Sequence, residues 1–193
     1  PTLLLLDEPF SSLDVGLRER IGLEVRDILK AQGITALLVT HDQLEAFAIA
    51  DAIGVMNGGE IQQWDSAYNL YHRPANRFVA DFVGEGVLMP GMVLNEGRVE
   101  TELGELVGEI PHDCRAGCPV DVLLRPDDII HDDASTLQAE VCHKAFRGAD
   151  ILYTLRLSSK KKVLSLVPSH HNHAIGEMIG IRLGVDHVVT FRR

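Results

Sequence analysis

Four consecutive leucines, Leu3 to Leu6, lead directly into two adjacent carboxylates, Asp7 and Glu8. A run that is apolar at every position favours a strand that is buried on both faces of a parallel sheet. Parallel strands deliver the residues that follow them to the carboxyl edge of the sheet, where ligands bind in open α/β folds. The segment therefore predicts an α/β fold with two acidic side chains at a ligand-binding edge.

A helix and a second buried strand are predicted next. Asp14 is a candidate N-cap, and Gly33 is a candidate C-terminal stop. Residues 36–39 form another fully apolar run, which ends shortly before His41. We therefore expect His41 at the same sheet edge as the two carboxylates. The apolar positions of the helix recur at three- and four-residue spacing: Leu17, Ile21, Val25, Ile28 and Leu29.

The remaining elements of this part complete a βαβαββ order. A short helix near residues 43–50 precedes a third strand near residues 53–56. Asn57-Gly58-Gly59 is a hairpin turn signal, and a returning strand follows it. Ser66 is a candidate cap for the short helices that come next. This alternation is typical of α/β domains with a layered parallel sheet.

From Gly86 onward short β-type runs alternate with Gly, Pro, Asn and Asp, and long helical patterns are absent. This pattern predicts an all-β domain, either one small OB-like barrel or a pair of barrels. The expected domains are therefore residues 1–85 and residues 86–193. The clearest strand candidates are residues 87–94, 120–124, 152–157, 163–167 and 185–191.

Composition narrows the function classes. The formal net charge of −10 lacks the basic excess that binding to a phosphate backbone needs, so no nucleic-acid partner is expected. Three cysteines in a chain of this length do not indicate a disulfide framework, and reduced thiols are expected. No apolar stretch reaches the ~20 residues that span a bilayer.

Two carboxylates and one imidazole at a common edge suit nucleotide hydrolysis. That reaction needs a cation to offset phosphate charge and a group that positions the attacking water. Adjacent side chains on an extended strand point in opposite directions, so one carboxylate can face magnesium while the other faces water. Each piece also has a plainer interpretation as a soluble loop or a structural histidine. Only the combination of the two carboxylates with the imidazole is specific for nucleotide hydrolysis.

The motifs resemble those of the ATPase subunits of ABC transporters. LLLLDEP resembles the Walker B segment, SSLD the D-loop and LLVTHD the switch-histidine strand. Residues 54–85 resemble the end of this domain in importers, so the resemblance covers residues 1–85. Residues 86–193 resemble the C-terminal β-barrel regulatory region of the TOBE type, with VLLRPDDI at residues 122–129 as the clearest marker.

The resemblance implies a role for each matching residue. Asp7 would hold Mg²⁺ through water, Glu8 would be the general base for the attacking water, and His41 would contact the γ-phosphate of ATP. It also implies an ATPase homodimer, transmembrane permease subunits, an indirectly coupled substrate-binding protein and a peripheral position on the cytoplasmic face of the membrane. The D-loop that meets the second ATPase subunit would consist of Ser11, Ser12, Leu13 and Asp14.

One departure from the family is large. No G-x-x-x-x-G-K-[ST] P-loop, glutamine loop or LSGGQ-type signature occurs in the 193 residues. We therefore expect a C-terminal fragment that does not hydrolyse ATP by itself. The transported substrate is expected to be ferric iron, with another ion, a polyamine or a sugar as alternatives. A non-catalytic regulatory or dimerisation module is a further alternative for this chain.

Two other readings of the residues stay open. A DNA-repair or chromosome-structuring ATPase would share the carboxylate and histidine elements, although the acidic balance and β-rich tail argue against it. Metal binding is also suggested by two groups of side chains, for which a polar loop and a free thiol are the plainer interpretations. These groups are His170, His171 and His173, and His112 with Cys114 and Cys118.

Overall fold

The computed structural model describes residues 2–95, 97–185 and 188–193. The chain divides into two compact units, Pro1–Ala75 and Asn76–Arg193. Composition alone places the change near residue 86, whereas the helix that precedes this point belongs to the second unit. Among the described residues, no helix is both long enough and apolar enough to cross a membrane.

The first unit is mixed α/β, as predicted. Strands β1 and β2 pair in parallel, with Leu5 opposite Leu37 and Asp7 opposite Val39. Strands β3 and β4 form a separate antiparallel hairpin. The elements of this unit are β1 (Leu3–Asp7), α1 (Val15–Gln32), β2 (Thr35–Val39), α2 (Gln43–Ile49), β3 (Ile53–Asn57), β4 (Glu60–Asp65) and α3 (Ala67–His72).

The predicted burial of β1 on both faces is wrong. Leu3 and Leu5 are 54% and 67% exposed, whereas Leu4 and Leu6 are partly buried. The predicted third strand also does not extend the parallel sheet, because β3 pairs with β4 instead. The described part of this unit therefore holds a parallel sheet of only two strands, and one face of β1 has no covering layer.

Local signals for helix ends and turns are confirmed. The side chain of Asp14 accepts a hydrogen bond from the backbone N–H of Leu17 at 3.0 Å, which caps α1. Gly33 ends this helix in the left-handed region at φ 64°. The β3–β4 turn places Gly58 and Gly59 at φ 58° and φ 85°, as a two-residue hairpin turn of the primed type requires.

The described residues of the second unit form one short α-helix, a 3-10 turn at Pro126–Asp128 and ten strands. Five strands close a barrel in the order β14-β7-β6-β5-β8, and five form a sheet in the order β12-β11-β10-β13-β9. The all-β prediction is confirmed, although residues 186 and 187 of one predicted strand lie outside the described residues. The elements are α4 (Arg77–Val83), β5 (Val87–Asn95), β6 (Arg98–Thr101), β7 (Gly104–Glu109), β8 (Pro119–Leu124), β9 (Ile129–His131), β10 (Gln138–Phe146), β11 (Asp150–Arg156), β12 (Lys162–Pro168), β13 (Met178–Leu183) and β14 (Val188–Arg192).

One apolar core runs through the barrel and the sheet of this unit. Alternating side chains of β12 enter it, because successive residues of a strand point to opposite faces. Tyr153, on β11, is the largest fully buried side chain. Core members from the barrel include Met89, Val99 and Val122, and those from the sheet include Val141, Leu155, Val163 and Ile181.

The cysteines correct the expectation of reduced thiols. Cys114 and Cys118 form a disulfide with their Cα atoms 5.4 Å apart, a separation that suits the bond. The backbone N–H of Cys118 donates to the carbonyl of Arg115 at 2.9 Å, so a tight turn brings the two cysteines together. Cys142 is the free cysteine. In this state, Cys114 and Cys118 offer no thiolate to a metal.

Arg125, in the VLLRPDDI segment, has a structural role. Its side chain is 3% exposed, and its guanidinium donates to the carbonyls of Ala80 and Gly84 at 3.0 and 2.7 Å. These carbonyls lie at the C-terminal end of α4, where helix carbonyls have no partner within the helix. The buried side chain of Arg125, which directly follows β8, thus holds α4 to β8. This contact is why α4 belongs to the second unit.

We predict that Arg125→Met destabilises the protein by about 2–4 kcal/mol. The substitution keeps the apolar stem of the side chain but leaves buried carbonyls without a donor, and hydrogen bonds from charged donors each contribute about 1.5–3 kcal/mol. Urea denaturation followed by circular dichroism measures this loss. The matched control is Arg156→Met, which removes an exposed ion pair with Glu140 and should change stability far less. Equal losses in the two variants would contradict the role of Arg125.

Candidate functional site

The candidate site begins at the carboxyl edge of the β1–β2 pair. Asp7 lies opposite Val39 in the parallel register, and the backbone N–H of Glu8 donates to the carbonyl of Val39 at 2.9 Å. The pairing therefore continues one residue beyond β1. Strand β2 ends at Val39, and His41 follows two residues later. His41 therefore lies at the same edge of the strand pair as Glu8.

Glu8 and His41 are in direct contact. The Nδ1 atom of His41 lies 2.8 Å from Oε1 and 2.6 Å from Oε2 of Glu8. Because a carboxylate only accepts hydrogen bonds, Nδ1 is the donor, and Nε2 remains for another partner. The imidazole is largely solvent-exposed, and the carboxylate is about one-third exposed. The structure thus brings together the two residues to which the resemblance assigns catalysis.

This contact changes the protonation of His41. The hydrogen bond to Glu8 and the negative charge of Glu8 raise the pKa of His41 above its ordinary value of 6.5. The charge of Asp42 raises this pKa further, while partial desolvation and the charge of Arg18 lower it. The imidazole consequently stays protonated to a higher pH than a free histidine side chain.

The backbone at Glu8 has an unusual conformation. Its φ of 47° lies in the left-handed region, which few residues other than glycine adopt. The hydroxyl of Ser11 donates to the carbonyl of Glu8 at 3.0 Å, and the backbone N–H of Ser11 donates to the same oxygen at 3.3 Å. The turn after β1 is therefore closed on itself, which fixes the direction in which the carboxylate leaves the strand.

Asp7 is exposed at the same edge, and its carboxylate has no hydrogen-bond or ion-pair partner among the described residues. Mg²⁺ is usually bound in proteins by one or two carboxylates together with water and phosphate oxygens. The free carboxylate of Asp7 fits that donor set. When bound, the ion supplies positive charge that offsets the charge of the phosphates.

The four predicted D-loop residues form the turn between β1 and α1. The backbone N–H of Leu13 donates to the carbonyl of Phe10 at 3.0 Å, and Phe10 is buried beneath the turn. Ser11 binds Glu8 as described, and Ser12 is exposed. The carboxylate of Asp14 is used as the cap of α1. Contact of these residues with a second subunit stays a prediction.

Arg18, on α1, is a residue of the candidate site to which the sequence analysis assigned no role. Its guanidinium donates to the carbonyl of Leu13 at 2.9 Å and forms an ion pair with Asp42. Asp42 also caps α2 by accepting from the N–H of Glu45 at 3.1 Å. The pKa of Asp42 is held below its ordinary value, first by the hydrogen bond from the Glu45 N–H and next by the Arg18 guanidinium.

Arg18 therefore connects the D-loop to the residue that follows His41. The position of Arg18 in the first turn of α1 keeps its side chain near the D-loop, but it does not identify Asp42 as a partner. The pairing with Asp42 joins residues 24 apart in the chain and has no local signature.

Comparison with known proteins begins with the second unit. Residues 122–191 match the family model described as the TOBE domain. This range runs from β8 through the whole five-stranded sheet to β14. The prediction of a TOBE-type region is therefore confirmed for these residues.

The chain is similar, over two thirds of its length or more, to three import ATP-binding proteins. It is 36% identical over 185 residues to the spermidine/putrescine import ATP-binding protein PotA of Desulfitobacterium hafniense (strain Y51), a match that covers 95% of this chain and 52% of that protein. It is 45% identical over 129 residues to the PotA proteins of Aster yellows witches'-broom phytoplasma and Onion yellows phytoplasma, with 67% of this chain and 31% of each relative covered.

A solved structure also resembles part of the chain. The cytoplasmic molybdate-binding protein ModG, crystallised with molybdate bound, aligns with a TM-score of 0.47 and 14% sequence identity. The alignment covers 55% of this chain and 96% of ModG.

These three relatives are named for spermidine and putrescine, and not for the ferric iron that the sequence analysis expected. The chain spans about half the length of the first relative, at 52%, and a third or less of the other two. The chain thus carries a TOBE domain and is similar, over nearly its whole length, to ATP-binding proteins of importers.

Proposed function

We propose that this chain is part of the ATP-binding subunit of an ABC importer that takes up a polyamine such as spermidine or putrescine. The observation that carries the proposal is the contact between Glu8 and His41 at the edge of a parallel strand pair. Similarity to the PotA proteins over 95% of the chain supports the choice of family and substrate class. In the intact protein, ATP and Mg²⁺ would bind at this edge.

In this proposal Glu8 and His41 act as a pair. Glu8 accepts a hydrogen bond from Nδ1–H of His41, which directs Nε2 away from the carboxylate and toward the position that a γ-phosphate oxygen of ATP would occupy. The protonated imidazole offsets negative charge on that oxygen. The second role of Glu8 would be to polarise the attacking water, and Asp7 would hold Mg²⁺, which would offset the charge of the phosphates.

Arg18 gives the proposed site a route to a partner subunit. Its bonds to the Leu13 carbonyl and to Asp42 couple the D-loop to the segment that carries His41. A contact that displaces the D-loop would therefore also act on His41. The proposed partners are a second ATPase subunit across the D-loop and permease subunits at the cytoplasmic face of the membrane.

The first prediction concerns transport. In the intact importer that contains this chain, Glu8→Gln should lower ATP-driven spermidine uptake at least about 100-fold, because removal of a general base costs about 10²–10⁴ in rate. Uptake of radiolabelled spermidine by cells that lack their own polyamine importers measures the effect. Glu24→Gln is the matched control, since Glu24 is an exposed carboxylate of α1 away from the edge.

Two results would contradict the transport proposal. Normal spermidine uptake by the Glu8→Gln importer would exclude Glu8 from the reaction. Rescue of ferric-iron uptake without rescue of spermidine uptake by the unmodified importer would reject polyamine as the substrate and return the assignment to iron.

The second prediction concerns the chain of 193 residues by itself. It should hydrolyse ATP no faster than its own Glu8→Gln variant, because no P-loop sequence supplies the backbone amides and lysine that hold the β- and γ-phosphates. Phosphate release at millimolar ATP and Mg²⁺ measures this. Turnover that exceeds the Glu8→Gln background would show that the chain holds a complete site.

The third prediction concerns pH. Because the pKa of His41 is raised, its charged contact with Glu8 is complete below the ordinary value of 6.5 and weakens as the pH rises through the raised pKa. NMR titration of the imidazole should give a pKa above 6.5 in the unmodified chain and a lower pKa in Glu8→Gln. Glu24→Gln should leave the titration unchanged. An equal pKa in all three proteins would contradict the contact.

A further inference from the structure

The second unit brings together three histidines from two separate segments. His131 ends β9, whereas His171 and His173 lie in the loop between β12 and β13. One ring nitrogen from each lies within 4.8 Å of the others. These residues form the three-histidine cluster. Their ring centroids are 5.0 Å apart for His131 and His171 and 4.7 Å apart for His131 and His173.

Buried hydrogen bonds hold the two segments in place. The hydroxyl of Ser165, on β12, donates to the carbonyl of Ile129, on β9, at 2.5 Å. The hydroxyl of Tyr153 donates to the carbonyl of His171 at 2.8 Å and accepts from the backbone N–H of His173 at 2.9 Å. Both side chains are fully buried. These hydrogen bonds therefore hold the backbone of the three histidines in place, although two of the histidines lie in a loop.

Two nitrogens of the cluster are buried and make no hydrogen bond within the described part of the chain, namely Nε2 of His131 and Nε2 of His173. Nε2 of His131 has an ion-pair contact with Asp133 at 3.1 Å. The His131 side chain is only 7% exposed, so water reaches it poorly. A buried polar atom is normally satisfied, and an exception calls for a bound ion, a ligand or water.

Glu177 orients the imidazole ring of His173 through a hydrogen bond. Nδ1 of His173 donates to Oε1 of Glu177 at 2.8 Å, and Oε2 accepts from the N–H of Ala174 at 2.7 Å. With the proton of a neutral ring held on Nδ1, the lone pair lies on the unpartnered Nε2. A carboxylate behind the imidazole is the usual arrangement at protein metal sites, where it orients the ligand and raises its basicity.

The cluster also borders an open cleft and a carboxylate. His131, His171 and Asp133 line a cleft of ≈540 Å³, which is ample for an ion with its remaining ligands. Oδ1 of Asp133 lies 3.1 Å from Nε2 of His131, which places this carboxylate beside the cluster. The neighbouring Asp132 pairs with Arg182 at 3.4 Å, so Asp133 is the better placed of the two carboxylates to bind an ion together with the histidines.

We propose that the three-histidine cluster binds a divalent transition-metal ion of the Zn²⁺ type, with Asp133 or water as the fourth ligand. Imidazole nitrogens suit Zn²⁺, Cu²⁺ and Ni²⁺, whereas Mg²⁺ and Ca²⁺ require oxygen ligands. Two nitrogens at 2.0–2.1 Å from a tetrahedral ion lie about 3.4 Å apart, so small rotations of the rings complete the geometry.

This site differs from both metal hypotheses raised by the sequence. His131 takes the place of His170, which is not among the three histidines whose ring nitrogens lie within 4.8 Å of one another. The group of His112, Cys114 and Cys118 loses its thiolates to the disulfide. The inference concerns the second unit alone and does not depend on the proposed transport function.

The test is zinc binding by the tag-free chain of 193 residues, measured by isothermal titration calorimetry with ZnCl₂. We expect one Zn²⁺ per chain, with MgCl₂ giving no such binding. His171→Ala should weaken the affinity at least about 100-fold, and Glu177→Gln, which removes only the orienting carboxylate charge, should weaken it by about 10–100-fold. His170→Ala is the matched control and should bind as the unmodified chain does.

A spectroscopic readout separates coordination from loss of folding. Co²⁺ bound by three imidazoles and an oxygen gives intense visible absorption when tetrahedral, and this band should be absent from His171→Ala. Circular dichroism establishes that the variants remain folded. The proposal is rejected if the unmodified chain binds no zinc, if His171→Ala binds it normally, or if His170→Ala loses as much affinity as His171→Ala.

Discussion

The parallel pairing of β1 with β2 determines where every residue of the candidate site can lie. Asp7 lies opposite Val39, and the Glu8 N–H donates to the Val39 carbonyl. These contacts align the ends of two segments that are more than 30 residues apart in the chain. A shift of this register by one residue would reverse the faces of all side chains on one strand. The Glu8–His41 contact is therefore a consequence of backbone hydrogen bonds.

The second unit depends on polar side chains that bind backbone groups inside the core. Arg125 holds α4, Ser165 joins β12 to β9, and Tyr153 fixes the loop that carries two of the clustered histidines. Each joins segments that sheet hydrogen bonds alone do not connect. Because a buried polar group is costly unless it is paired, these contacts define one arrangement of the loops around the barrel and sheet.

Local features of the sequence predicted local features of the structure. The Asp14 cap, the Gly58-Gly59 turn and the position of His41 at the carboxyl edge each follow from a few neighbouring residues. The exposure of Leu3 was not predictable, because it depends on which layers cover the strand. The pairing of Arg18 with Asp42 also depends on packing between distant segments, and a one-dimensional pattern does not encode it.

The positive φ at Glu8 limits how the candidate site can change during evolution. A single nucleotide converts a glutamate codon to one for glutamine, lysine, alanine, glycine, valine or aspartate. At φ 47° a β-branched residue such as valine is strained, whereas glycine is tolerated and unbranched side chains are less penalised. Variants that lose the carboxylate yet keep the turn are thus reached through glutamine, lysine, alanine or glycine rather than through valine. Backbone geometry, as well as chemistry, therefore filters the substitutions that this position can accept.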